Sequence, residues 1–293
     1  MVRRMFRDFL SMTRMPFAFT QTLFIILGFL HAGGTDYFKL FLAVLALGPT
    51  FIYGGIYMLN DVADREFDRL HPKKRNRAIT SGRISVRTVV LLSMFLIACG
   101  LAIAFYLGKT FVLISVAVLA NNLLYAYGPR LKDRLYWGLL SCSMNYPLRF
   151  LAGSVVVNTS SIAILPAVMF FLIALNGFSS YRIYDRESMV SGRKKFKEGE
   201  EEMLAALIRL TALCVAIVVL ILGYSKTPLA AVILAGCIAA FSEINFSIVK
   251  QGIDFFQLLR VHKTIKQKPE LTYYPIMALL LAALLIYVML KTV

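Results

Sequence analysis

Charge is scarce in this chain: Asp, Glu, Lys and Arg make up only 16% of its 293 residues. An ordinary soluble domain carries about a quarter, so a water-exposed globular fold is excluded. Acidic charge is scarcer still, with 16 Asp and Glu against 32 Lys and Arg. Three His and one Trp leave little material for a histidine-built metal centre. The four cysteines, Cys99, Cys142, Cys214 and Cys237, all lie in apolar runs without CxxC spacing. They read as small core residues, not as a disulfide framework or zinc site.

Apolar residues, by contrast, make up 59% of the chain. Windows of about 20 apolar residues mark membrane-spanning helices. Nine such spans are expected, near 15–33, 38–60, 86–107, 109–128, 136–157, 160–180, 203–224, 227–249 and 272–291. The expected fold is therefore an all-α integral membrane protein, one domain over residues 1–293, with no separate soluble domain. The first residues do not read as a cleavable signal, because their apolar run is long and no small-residue cleavage site follows.

Basic residues set the expected orientation. Residues 1–14, 61–87, 129–135, 181–202 and 250–271 hold 26 of the 32 Lys and Arg. Placed on one side, they put the N-terminus and the loops after spans 2 and 6 in the cytoplasm, and the C-terminus outside. The net charge of +16 then suits anionic lipid and phosphate substrates. It does not suit nucleic acid, because the charge is spread over loops held at a bilayer. Residues 1–13 and 250–266 mix basic and apolar residues as surface helices do.

The densest polar stretch sits where span 2 meets its loop. Residues 60–68 read NDVADREFD, followed by RLHPKKRNR. In a continuous helix Asn60, Asp64 and Asp68 fall at i, i+4 and i+8 on one face, with Asp61 flanking it. Oxygen ligands so arranged repel one another unless a cation lies among them, and a hard ion such as Mg2+ fits. The basic run behind supplies charge for phosphates. A solvated helix end of alternating charge is the bland alternative. The loop after span 6 echoes the pattern with YRIYDRE and then GRKK, hinting at two related halves. The acids at 198–202 suit the start of span 7. His71 reads as a phosphate contact or loop residue.

Polar groups within spans need a reason, since a charge at mid-bilayer is costly. Gln21, Asn60, Asn121, Asn122, Asn176, Ser179, Ser180, Arg209, Glu243 and Asn245 fall in the cytoplasmic third of their spans. Their shared depth implies a wet central cavity opening to the cytoplasm, although Asn and Ser also serve as interhelical glue. Arg149 lies deeper, two residues after Pro147. It must face protein or water, holding either a substrate anion or a structural acid.

The stretch NDVADREFD resembles the NDxxDxxxD signature of the UbiA superfamily of membrane prenyltransferases. Residues 77–85 (RAITSGRIS) look like that family's RPIxSGxIS stretch, with Ala78 in place of Pro. Residues 125–132 (YAYGPRLK) look like its tyrosine-to-lysine loop. The second acidic motif departs from the family's DxxxD, keeping only Asp185 and Glu187. Either the second metal-ligand set is thinner, or Glu187 substitutes for the missing aspartate.

The resemblance implies two motifs facing each other across the cavity and holding Mg2+ on a prenyl diphosphate. Asn60, Asp61, Asp64, Asp68, Asp185 and Glu187 would be ligands or their supports. Arg77, Lys132, Arg182 and Lys73 would neutralise the diphosphate, with Tyr127, Asn176 and Arg149 as further contacts. The implied partners are a prenyl diphosphate, an aromatic or membrane-soluble acceptor and the lipid bilayer, at the plasma membrane with the site facing the cytoplasm. Residues 71–77 (HPKKRNR) and 148–153 (LRFLAG) also resemble the decaprenyl-phosphate phosphoribosyltransferases of the same superfamily. There the metal holds phosphoribosyl diphosphate. The 81–85 segment equally resembles archaeal enzymes that prenylate glycerol lipids. A polytopic transporter would explain nine helices and a mid-membrane Arg, but not two acid-plus-base motifs at matching helix ends.

Overall fold

The computed structural model describes residues 2–15, 18–70, 74–157, 163–185 and 199–223. The expected spans 227–249 and 272–291, the 250–266 surface helix, Cys237, Glu243 and Asn245 lie outside the described residues. So do His71, Lys73 and Glu187, and the side chains of Gln21, Ser180 and Asp185.

Among the described residues every regular element is helical. The order is α1 (Val2–Met12), α2 (Ala18–His31), α3 (Tyr37–Leu47), α4 (Ile52–Ala63), α5 (Arg65–Leu70), α6 (Val86–Leu107), α7 (Lys109–Ala126), α8 (Leu135–Val157), α9 (Ile164–Asp185) and α10 (Glu200–Gly223). Helices α1 to α8 form one compact unit, which ends at Ala167. The second unit begins at Val168. In it, α9 and α10 are tied by Asn176, whose amide donates to the Ile208 carbonyl (2.7 Å) and to Thr211 Oγ1 (3.0 Å).

The expected second span is two helices rather than one. Gly48 is extended (φ −76°, ψ −169°) and ends α3. Pro49 follows it, and a proline restricts the residue before it and has no N–H to give. Together α3 and α4 still make a 27-residue apolar stretch, Tyr37–Ala63, long enough to cross a bilayer. Val86–Leu107, Lys109–Ala126 and Glu200–Ile221 are long and apolar enough as well. Helix α9 continues past the expected end near residue 180, through the second acidic cluster, to Asp185.

Local chemistry fixes the ends. Ser85 caps α6 by accepting from the Thr88 N–H (3.1 Å), and Asp36 caps α3 through Lys39 (3.1 Å). Gly108 turns α6 into α7 at φ 121°, a conformation open to glycine.

Helix α8 is the hub of the first unit, packed on α2, α3 and α7. It is also unusually polar for a span, carrying Ser141, Ser143, Asn145, Arg149 and Ser154. A polar helix stays in a membrane only when other helices cover it. Two glycines let α2 approach closely enough. A Cβ on Gly28 would strike the Phe150 carbonyl, and one on Gly153 would strike the Ile25 carbonyl. The Ser154 hydroxyl donates across the same contact to the Gly28 carbonyl (3.1 Å). Small residues at a helix crossing are the usual means of close packing in lipid.

Gly153→Val is therefore expected to destabilise the protein by about 1–3 kcal/mol or more through overpacking. Thermal unfolding of the purified protein in detergent would read it. Leu91→Ala, at a side chain 59% exposed on α6, should lower the midpoint by much less.

Candidate active site

The first acidic motif spans the junction of α4 and α5. Asp64 caps α4 (φ −93°, ψ −1°). Its N–H bonds the Asn60 carbonyl at 3.0 Å, and the Asp68 N–H bonds the Asp64 carbonyl at 2.8 Å. The i, i+4, i+8 spine expected for Asn60, Asp64 and Asp68 thus persists in the backbone although the helix is interrupted.

The side chains sort differently from that spine. Asp61 and Asp68, both buried, converge on one Arg77 nitrogen, each at 2.8 Å. Arg14 adds a cation 3.6 Å from Asp61, and Lys74 another 3.8 Å from Asp68. Asp64 instead pairs with Lys132 Nζ at 2.6 Å, with Arg130 at 3.9 Å. Lys132 is only 5% exposed. Asp61, flanking in the sequence pattern, thus belongs with Asp68, seven residues on.

The loop carrying Lys132 is shaped for this. Gly128 (φ 57°) and Arg130 (φ 47°) are both left-handed, which turns the chain sharply between α7 and α8. Tyr127 anchors the loop by donating its hydroxyl to the Leu59 carbonyl at 2.6 Å. Burial, and then the nearby Asp64 charge, hold that phenol above its usual range, so it stays a donor. Arg130 stacks over Phe67, 5.0 Å from the ring centre.

Four carboxylates, Asp61, Asp64, Asp68 and the Asp133 that holds Arg130 at 2.9 Å, therefore face five cations, Arg14, Lys74, Arg77, Arg130 and Lys132. The cluster keeps a surplus of one positive charge, which favours an anion beside it. Its acidic donors are hard oxygens, which suit Mg2+ better than a softer metal. Among the described residues no three His, Cys, Asp or Glu groups converge as a metal cage. Each carboxylate is turned toward an Arg or Lys, so a metal would enter as those cations move to its phosphate partner.

Arg14, Lys74 and Arg130 were not singled out by sequence reasoning. Arg14 is the hardest to foresee, since it reaches the motif from the far end of α1 through a left-handed residue (φ 57°). Lys74 and Arg130 sit inside segments the motif comparison already contained. Arg83 fixes α1 to the post-motif loop by a bidentate contact with Asp8 (2.8 and 3.2 Å), which explains how Arg14 is held in place.

The proposed cavity wall resolves into packing contacts at several positions. Asn122 donates to Asn145 Oδ1 (2.7 Å), and Asn121 donates to the Ser141 carbonyl (2.9 Å), joining α7 to α8. Ser179 bonds its own helix at the Leu175 carbonyl (2.7 Å). Arg209 is exposed on α10, and Arg182 is half-buried near the end of α9. Arg149 is buried, at 5% exposure, with its guanidinium 3.9 Å over the Tyr53 ring.

The described residues thus form a helical membrane protein with an acid-and-base cluster where α4 gives way to its loop. The sequence profile of the UbiA prenyltransferase family matches residues 22–251, and the chain belongs to that family. A decaprenyl-phosphate phosphoribosyltransferase of Mycobacterium tuberculosis is 30% identical over 154 residues, 53% of this chain and 46% of that protein. A 4-hydroxybenzoate octaprenyltransferase of Albidiferax ferrireducens is 29% identical over 157 residues, 53% of this chain and 52% of that one. The chain thus spans about half the length of these curated relatives. The fold is that of a UbiA homologue from Archaeoglobus fulgidus bound to GPP and Mg2+. The TM-score is 0.72 at 19% identity, covering 98% of this chain and 100% of that one.

Removing Arg77 leaves Asp61 with Arg14 at 3.6 Å and Asp68 with Lys74 at 3.8 Å as the remaining cations. Arg77→Met is expected to destabilise the fold by about 1–3 kcal/mol, through the two hydrogen bonds lost to buried carboxylates. Arg69→Gln, which breaks only the exposed pair with Glu66, should change stability by less than about 1 kcal/mol. Thermal unfolding of both variants in the same detergent checks the contrast.

Proposed function

We propose that this protein is a Mg2+-dependent intramembrane transferase that moves a prenyl group from a polyprenyl diphosphate to an aromatic or other lipid-precursor acceptor. The observation that carries the reading is the cluster of Asp61, Asp64 and Asp68 with its surplus of cations. Family membership over residues 22–251 supports it. Nine spans, a plasma-membrane location and a site open to the cytoplasm complete the proposal.

In this reading Asp64 and Asp68, supported by Asn60 and Asp61 and joined by Asp185 and Glu187, hold Mg2+. The metal supplies Lewis-acid stabilisation of the diphosphate. The chain's own cations do the rest. Arg77, Lys132, Arg130 and Lys74, with Lys73 and Arg182, take up the negative charge that grows on the diphosphate. The bond from prenyl C1 to oxygen breaks with its electron pair leaving on the diphosphate. The acceptor atom then bonds to C1 and loses its proton. Tyr127 keeps Lys132 in register by anchoring its loop at Leu59.

A second reading is phosphoribosyl transfer from phosphoribosyl diphosphate to a polyprenyl phosphate. It is favoured by the buried Arg149 within residues 148–153 and by the phosphoribosyltransferase relative.

The test is turnover with isotope-labelled donors, each prenyl diphosphate and phosphoribosyl diphosphate in turn, with Mg2+ and then with EDTA. Transfer from a prenyl diphosphate that chelation stops is expected. Transfer from phosphoribosyl diphosphate alone would replace the first reading by the second.

Asp64→Ala should lower turnover by about 10²–10³-fold or more while the protein stays folded. A fully active variant would remove Asp64 from the site.

Asp185→Asn should raise the Mg2+ requirement more than Glu187→Gln does. A matched metal titration of the two variants decides which residue is the ligand.

A further inference from the structure

Among the described residues Arg149 is a cation without a counter-ion. It lies about 20 Å along α8 from that helix's start, 5% exposed. Among the described residues no carboxylate comes within ion-pairing distance of it. Its Nε–H is buried and meets no hydrogen-bond acceptor. Three tyrosines of the same unit surround the guanidinium. Tyr53 lies beneath it at 3.9 Å, Tyr146 stands at 5.8 Å, and Tyr57 packs beside Tyr53 with ring centres 5.9 Å apart. Aromatic faces attract a cation, and the guanidinium also donates to the Tyr57 hydroxyl, but the tyrosines bring no net negative charge and leave Nε–H without an acceptor.

The neighbouring polar groups, unlike Arg149, are satisfied. Asn145 Oδ1 accepts from the Tyr53 hydroxyl (2.8 Å) and from Asn122 (2.7 Å). Its own amide donates to the Ser141 carbonyl (3.1 Å). That network locks the Tyr53 ring under the guanidinium. The glycine crossing of α2 and α8 at Gly28 and Gly153 holds the backbone beside Arg149. A rigid frame therefore presents, inside a membrane segment, a cation with no carboxylate partner among the described residues and one unpaired N–H, where an unmatched charge is costly.

The position separates this cation from the diphosphate cluster. On α4, Tyr53 stands eleven residues before Asp64, about 16 Å of helix rise. Helical side chains lean toward the N-terminus of their helix, and α8 begins just after Lys132. Arg149 therefore leans back toward the motif but stays apart from it.

We propose that Arg149 is a second anion subsite, which takes a carboxylate or phosphate monoester carried by a substrate in addition to the diphosphate held at Asp64 and Lys132. The proposal rests on the transferase reading and deepens it. A prenyl diphosphate has no second anion to offer. An aromatic acid acceptor, a lipid phosphate acceptor or a phosphorylated sugar donor has one. In each case Arg149 would select the substrate by its distal charge.

The test uses the full-length protein in nanodiscs with Mg2+ and three matched probe pairs that differ by one anion. These are 4-hydroxybenzoate against 4-hydroxybenzyl alcohol, undecaprenyl phosphate against undecaprenol, and phosphoribosyl diphosphate against ribose 1-diphosphate, which lacks the 5-phosphate. Wild-type protein should prefer the anionic member of one pair by at least about tenfold in Kd, and that pair identifies the source of the anion. Arg149→Gln should abolish the preference, with a loss of affinity for the anionic probe at least about tenfold larger than any loss for geranyl diphosphate. Arg149→Lys, which keeps the charge and lacks the Nε donor, should restore part of it. The Lys variant is read alone if the Gln variant does not fold.

The proposal is overturned if wild-type protein shows no preference in any pair. It is equally overturned if the variants keep the wild-type preference and merely unfold at lower temperature. Failure of the transferase reading looks different, because neither geranyl diphosphate nor phosphoribosyl diphosphate would then bind with Mg2+.

Discussion

Unmatched charge is what a bilayer tolerates least, and the first unit is organised around its neutralisation. Asp61 and Asp68 meet on a single Arg77 nitrogen, and Asp64 meets Lys132. These contacts draw three stretches of chain together: the end of α4 with α5, the loop before α6, and the loop between α7 and α8. Arg14 brings in a fourth from α1. Each contact is between groups that would be expensive to bury alone, so each element is placed by the charge it must cover.

The same cluster is suited to an incoming anion. The carboxylates hold their cations in place without matching them in number. In the proposed transferase the carboxylates would hold the metal and the cations the diphosphate. Little rearrangement of the backbone is needed, because the Tyr127 anchor and the left-handed residues Gly128 and Arg130 already fix the loop. Pre-organisation of this kind is how a site stabilises charge that develops during reaction.

Helix α8 works on a different principle. Its serines, Asn145 and Arg149 are too polar to face lipid, so α2, α3 and α7 cover that side, while Trp137, Leu140 and Met144 stay exposed on the other. Close wrapping is possible because Gly28 and Gly153 remove side chains where the backbones touch. The hydrogen bonds from Asn121 and Asn122 then tie α7 to it. The polar hub and the glycine crossing are two parts of one solution: the more polar the helix, the more completely its neighbours must close around it.

Much of this was legible in the chain. Apolar run length gave α6, α7 and α8 nearly to the residue, because a span's length is set by the bilayer. The spacing of Asn60, Asp64 and Asp68 survived as a backbone spine because i to i+4 bonds continue across the α4–α5 junction. The break at Gly48 and Pro49 was also written in the sequence, in a proline that cannot continue a helix, but hydropathy averages over it. Which carboxylate pairs with which cation was not legible. Asp61 joins Asp68 rather than Asp64, and Arg14 joins both motif and α1, because those partners lie far apart in the chain and are matched only by packing. Likewise the sequence showed that Arg149 needs company in the membrane. Only the folded unit decided that its company is three tyrosine rings, since their meeting depends on how α4 and α8 are set against each other, and that depends on two glycines on different helices.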